Sequence, residues 1–256
     1  MPRTGLDKPA YFMLPLGQLD GLIAYYRIVG IDILYILCYY IDMNVDIRRQ
    51  IAAEEFDYQT LMALLSAYSN PAMKVSALIK AGDIVRVKKG LYVFGESHRR
   101  RPYSMELLAN LIYGPSMVSS DYMLAHYGLI PEAVYALTST TFKRPKTFKT
   151  PLGVFVYKQA PAGYYPTGMR RLEFKGGAFL AASPERALAD KIREDSGNIL
   201  NSQKEAERYL FEDLRLDEEG FFSMDAALLD DCARLARSRK VRFCAAVLKK
   251  KKAVNK

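Results

Sequence analysis

Residues Ser69 to Phe94 read SNPAMKVSALIKAGDIVRVKKGLYVF. Ser69 or Asn70 suits a helix N-cap, Pro71 sits where a first-turn proline forfeits no hydrogen bond, and Gly82 is placed to stop the helix. At about 100° per residue, Val75, Leu78 and Ile79 share one side, while Met73, Ser76, Ala77 and Lys80 share the other. Ile84 to Val87 then alternates as a strand, Lys88-Lys89-Gly90 makes a cationic turn, and Leu91 to Phe94 returns as a second strand. A short helix feeding a basic hairpin is the expected last helix and wing of a winged helix-turn-helix. On that reading Met73, Lys74, Ser76 and Lys80 face a DNA groove, and Arg86, Lys88 and Lys89 hold phosphates. The plainer alternative is a helical cap and hairpin whose lysines are only solvated.

Working outward, residues 43–96 are expected to form the winged domain. A first helix runs from Val45 to about Phe56, and a second carries Leu61, Leu64 and Leu65. Gly95 to Arg101, GESHRRR, is polar and charged and reads as a linker between domains. Residues 102–248 then form a mixed α/β domain with a helical C-terminus, so the fold class is α+β. Its expected elements are a helix over 102–111, an extended stretch at 117–119 and a helix over 120–127 stopped by Gly128. Strands follow over 134–138, 153–158, 171–175 and 178–181, the last two joined by Gly176-Gly177. Ser183 and Pro184 open a further helix, in which Arg186 and Asp190 stand at i and i+4 spacing. Residues 249–256 read as a frayed basic tail.

The chain has 256 residues, half of them hydrophobic and 25% charged, which suits folded domains and argues against disorder. A formal charge of +9 favours a polyanionic partner. Cys38, Cys232 and Cys244 are odd in number, widely spaced and free of any CxxC pair, which fits reduced thiols in a cytoplasmic protein. His98 and His126 lie far apart with no second ligand at metal spacing, so neither a metal nor another cofactor is expected.

Residues 1–42 stand apart. Leu22 to Ile41 is long enough to span a membrane but carries Arg27 and Asp32. Each such charge costs about 2.5–3.5 kcal/mol at a helix centre, which makes this at best a marginal span. The favoured reading is an upstream stretch read in frame from AT-rich noncoding DNA, with Met43 as the true start; a marginal hydrophobic anchor and a docked helix are the alternatives. No membrane partner is expected.

Three segments in order resemble the AbiEi antitoxin family of type IV toxin-antitoxin systems. They are KVSALIKAGDIVRVKKGLYVFG, then SSDYMLAHYGLIPEAVYALTSTTFKR from Ser119 to Arg144, and FLAASPERALADKI from Phe179 to Ile192. The resemblance covers about residues 45–195. It implies an antitoxin whose winged domain binds double-stranded DNA at its own promoter and represses its operon. It also implies a C-terminal domain that opposes a nucleotidyltransferase-like toxin, with or without direct contact. A stand-alone winged-helix regulator and a protein-interaction module that never meets DNA are the other readings.

Lys143, Arg144, Lys146 and Lys149, interrupted by Pro145 and Phe148, form a second candidate basic surface. Cations interleaved with aromatics suit nucleic acid, and a solvated loop is the alternative. No phosphate-cradling GxxxxGK[ST] loop, GxSxG elbow or HExxH pair occurs, and an enzyme is not expected. Glu185, Asp190 and Lys191 have the residue types of a metal-dependent nuclease, but all three fall on one helix.

Overall fold

A computed structural model describes residues 47–254. The chain divides into two compact units, Met1–Ala52 and Ala53–Lys256. The expectations for residues 1–42, and the start of the first helix at Val45, lie outside the described residues. Residues 47–50 are helical, and the Arg48 guanidinium donates to the Ile51 carbonyl at 2.6 Å. The second unit is mixed α and β. Among the described residues no helix is long and apolar enough to cross a membrane.

The expected continuation of the first helix to Phe56 does not occur. Glu55–Asp57 is instead a strand, β1, paired antiparallel to the returning strand of the hairpin. Phe56 explains the change: its ring lies 4.8 Å from that of Phe94 and 6.2 Å from that of Tyr92, burial that a helical Phe56 forgoes. Helix α1 (Tyr58–Leu64) follows, capped by Asp57, whose carboxylate accepts from the Thr60 N–H at 2.7 Å. Helix α2 (Pro71–Ala81) has Asn70 as N-cap and Pro71 in its first turn. It closes on Gly82 at φ 79°, a left-handed conformation that any side chain would strain. Strands β2 (Ile84–Lys88) and β3 (Leu91–Phe94) complete a three-stranded antiparallel sheet in the order β1-β3-β2.

Every residue of β3 is buried, because the sheet is covered on both faces. Tyr92 pairs with Arg86 and Phe56, and that face looks toward α2, whose Val75 and Ile79 line one groove with Tyr92. The opposite face carries Leu91 and Val93, which share one hydrophobic core with Leu108, Ile112 and Phe155 of the rest of the unit.

That shared core changes the reading of residues 95–101. They are not an open linker between two domains but a strap, held at several points. The Gly95 N–H donates to the Asp83 carbonyl at 2.7 Å, and His98 Nε2 lies 2.9 Å from an Asp83 carboxylate oxygen. Arg101 makes a forked pair with Glu55 at 2.7 and 3.2 Å, and the same carboxylate accepts from the Ser104 N–H at 2.9 Å. Gly95 itself passes so close to Gly82 that a Cβ would sit 1.7 Å from the Gly82 carbonyl oxygen. Polar composition marks a linker only when the charges have no partners, and Glu96, His98, Arg99 and Arg101 have them.

Helix α3 (Met105–Ile112) is capped by Ser104 and leads to β4 (Met117–Val118) and α4 (Ser120–His126). Strands β5 (Leu137–Thr141), β6 (Lys146–Thr150), β7 (Gly153–Gln159), β8 (Met169–Phe174) and β9 (Gly177–Ala182) join β4 in a six-stranded mixed sheet, ordered β6-β7-β5-β4-β9-β8. Two corrections arise here. The strand expected over 134–138 lies at Leu137–Thr141, and the segment holding Lys146 and Lys149, read as a basic surface with a solvated loop as the alternative, is the edge strand β6. An edge strand needs few apolar residues, so KTFKT carries no alternation strong enough to read.

Helix α5 (Pro184–Glu194) opens with Ser183 as N-cap and Pro184 in its first turn, as the sequence predicts. Helices α6 (Gln203–Arg208), α7 (Glu218–Ser223), α8 (Ala226–Leu235) and α9 (Arg239–Val254) follow, α6 running into a π-helical turn at Tyr209–Asp213. The expected frayed tail is helical as far as Val254. Lys249 pairs with Asp230 at 3.0 Å, Lys251 pairs with Glu207 at 2.9 Å, and Lys252 donates to the Met224 carbonyl. Much of the tail's charge is therefore answered within the chain. Cys232 and Cys244 are free and buried, and burial pushes each thiol up to about 12.

Candidate nucleic-acid interface

Helix α2 buries Val75 and Leu78 and turns the opposite side outward. Met73 is 68% exposed, and Ser76 and Lys80 are exposed with it. Ser76 donates its hydroxyl to the Ala72 carbonyl at 3.1 Å, one turn back, so its oxygen still has acceptor capacity. Lys74 departs from this face. It is half-buried, and burial lowers its pKa while the Asp83 charge works the other way. A groove of about 340 Å³ runs between α2 and the hairpin, lined by Tyr58, Val75, Ile79 and Tyr92 with Arg86 and Lys89 among its walls.

The hairpin separates its cations. The β2–β3 register shifts between Arg86 and Lys88: Arg86 pairs with Tyr92 and Lys88 with Leu91. Tyr92 and Leu91 are consecutive in a strand, so they and their partners point to opposite faces. A simple alternation puts Arg86 and Lys88 together; the bulge at Val87 sends them apart. Arg86 and Lys89 stay exposed on the side of α2. Lys88, expected at the wing tip, is turned onto the end of α3, where its ammonium donates to the Ile112 carbonyl.

There it meets the second basic segment. Lys143 donates to the Gly114 carbonyl and lies 5.4 Å from the centre of the Tyr113 ring. Lys146 lies 6.0 Å from the same ring and 4.9 Å from that of Phe148. The Tyr113 hydroxyl donates to the Arg144 carbonyl at 3.3 Å, tying this segment to α3. Burial lowers the Lys88 pKa, and Lys146 and then Lys143 lower it further by repulsion. Arg144, Lys146 and Lys149 are exposed, and Lys143 is half-buried. The structure thus brings Lys88, Lys143 and Lys146 together around Tyr113. Nothing in the spacing of residues 88, 113, 143 and 146 announces that meeting, because it depends on the bulge and on where β6 joins the sheet.

Among the described residues, Lys80, Arg86, Lys88, Lys89, Lys143, Arg144, Lys146 and Lys149 form no ion pair with a carboxylate. Arg101 and Lys191, by contrast, pair with Glu55 and Asp121. Unneutralised cations of this kind hold a polyanion by counterion release.

The carboxylates of α5 lie inside the fold. Asp190 is fully buried and accepts at one oxygen from Ser119 at 2.7 Å, Thr140 at 2.9 Å and Arg186 Nε at 3.0 Å. Arg186 is equally buried, donates to the Tyr164, Tyr165 and Thr167 carbonyls, and stacks 3.6 Å from the Tyr164 ring centre. Glu185 accepts from the Asp225 N–H at 2.9 Å, and Lys191 pairs with Asp121 at 2.8 Å. The pairing of Arg186 with Asp190 follows the spacing in the sequence. In this setting Asp190, without solvent exposure, ties α5 to β5 and to the start of α4. Among the described residues, no three His, Cys, Asp or Glu side chains are grouped to hold a metal ion. Set beside known proteins, the chain matches no family model, and no curated protein matches it.

Proposed function

We propose that this chain is a winged-helix DNA-binding protein, acting as the antitoxin and autorepressor of a type IV toxin-antitoxin operon. The observation that carries the DNA-binding part is the exposed face of α2, Met73, Ser76 and Lys80, leading straight into a hairpin whose Arg86 and Lys89 form no ion pair with a carboxylate among the described residues. Helix α2 supplies groove contacts and the hairpin supplies phosphate contacts. Lys74 and Lys88, turned elsewhere, drop out of this primary set. The antitoxin part rests on the three AbiEi-like segments; in this reading the region after the strap opposes a nucleotidyltransferase-like toxin in the cytoplasm.

The test is a fluorescence-anisotropy titration of the full chain with a duplex from its own upstream region. Arg86→Ala with Lys89→Ala should weaken binding to matched and scrambled duplexes alike and flatten the salt dependence by about 1.8, or 0.9 per phosphate contact. Ser76→Ala or Lys80→Ala should instead change preference between sequences. Full affinity in the hairpin variant refutes the placement. The antitoxin part stands or falls on whether co-expression rescues growth from the adjacent toxin gene.

One observation favours a second reading. Met73 and the apolar walls of the groove, Tyr58, Val75 and Ile79, suit a protein segment as well as a duplex. In that case the chain shows no anisotropy change with its upstream duplex and co-purifies with the toxin.

A further inference from the structure

We propose that Lys88, Lys143 and Lys146, gathered around Tyr113 at the C-terminal end of α3, form a second phosphodiester-binding site that extends the duplex contact of α2 and the hairpin. The inference rests on the DNA-binding reading above. It starts from an excess of charge that no carboxylate among the described residues answers. A helix C-terminus presents about half a negative charge, and one lysine donating to a terminal carbonyl already satisfies it. Lys88 on the Ile112 carbonyl is enough for that purpose. The fold nevertheless adds Lys143 on the Gly114 carbonyl, and Lys146 over the Tyr113 and Phe148 rings. Three ammonium groups then share one place; burial first, and then repulsion from Lys146 and Lys143, lowers the Lys88 pKa.

Lysines on an edge strand also discourage pairing with another chain, and Lys149 on β6 fits that role. Lys146 does not, because its ammonium is held over two aromatic faces instead of pointing along the open edge. The rings hold the cation at a fixed place while leaving its donors free. An ammonium has three donors, and Lys88 and Lys143 each spend one on a main-chain carbonyl. The remaining donors, with Lys146 and Arg144 exposed beside them, match the oxygens of a phosphate. Lys88 belongs to the hairpin whose opposite face carries Arg86, so the hairpin joins the two cationic sets, and a polymer that reaches both passes around it.

The experiment uses the full chain with two probes, the upstream duplex and inorganic pyrophosphate. Lys143→Gln with Lys146→Gln should lower the slope of log affinity against log salt by about 1.8 and weaken matched and scrambled duplexes equally. Pyrophosphate should raise the melting temperature of the wild type and not of this variant. An unchanged slope, with the Arg86→Ala/Lys89→Ala variant still impaired, overturns the second site and leaves the primary reading in place. The converse, a slope lowered by the lysine variant alone, keeps this site and removes the primary one. Absence of duplex binding by the wild type overturns both. Pyrophosphate stabilisation without any change in duplex slope reduces the cluster to a small-anion site and overturns its role on DNA.

Discussion

Asp190→Ala offers the sharpest test of how the larger sheet is tied to its helices. The carboxylate and its partner Arg186 have no solvent exposure, and one oxygen takes three donors at 2.7, 2.9 and 3.0 Å. Removing it strands a buried guanidinium and leaves the Ser119 and Thr140 hydroxyls without their acceptor. Breaking a buried ion pair from one side costs about 3–5 kcal/mol, a large part of the 5–15 kcal/mol that holds a typical domain. The three carbonyls and the Tyr164 ring still engage Arg186, which places the expected loss toward the lower half of that range. For a chain of this size each kcal/mol is worth about 2–4 °C, so the melting temperature should fall by roughly 6–16 °C. Urea unfolding of Asp190→Ala, Arg186→Met and the double variant supplies the measurement. The double variant should cost at least about 1 kcal/mol less than the sum of the singles, since it never leaves one charge alone. A loss below about 1 kcal/mol for Asp190→Ala, or strict additivity, refutes the reasoning.

Two further outcomes follow from polar groups elsewhere. Glu194 is raised to about 7, first by burial and then by the Asp190 charge. Between its ordinary value of 4.5 and about 7 the folded chain keeps a proton that the unfolded chain has released, so this group's contribution to stability declines as pH rises through that window. Glu194→Gln should match wild type near pH 4.5 and exceed it above pH 7 by on the order of 2 kcal/mol, read from denaturant midpoints; a constant difference at all pH values contradicts the assignment. Glu55 anchors the strap through Arg101 and the Ser104 N–H, and its side chain is 1% exposed. Glu55→Ala should cost about 2–3 kcal/mol and speed tryptic cleavage after Arg99 or Arg100, while an unchanged cleavage rate shows that the strap is held by other means.

The helix α2, its Asn70 and Pro71 start, its Gly82 stop and the two strands after it were all legible in the sequence, because caps, a 3.6-residue period and a tight turn act within a few residues of chain. The same holds for Ser183, Pro184 and the Arg186 to Asp190 spacing. Other features depend on contacts distant in sequence. Phe56 is extended because Tyr92 and Phe94 are there to receive it. The strap at 95–101 reads as a linker until Glu54 and Glu55 are seen to hold it. Lys88 alternates with Arg86 on paper, yet one extra residue in β2 turns it to the opposite face and into the company of Lys143 and Lys146. Local rules determine where helices are capped and where tight turns fall, and composition sets the total charge the chain carries. Which cations stay free, and where they gather, is decided only when strand register and core packing bring distant residues together, since a shift of one residue reverses the side on which a charge stands.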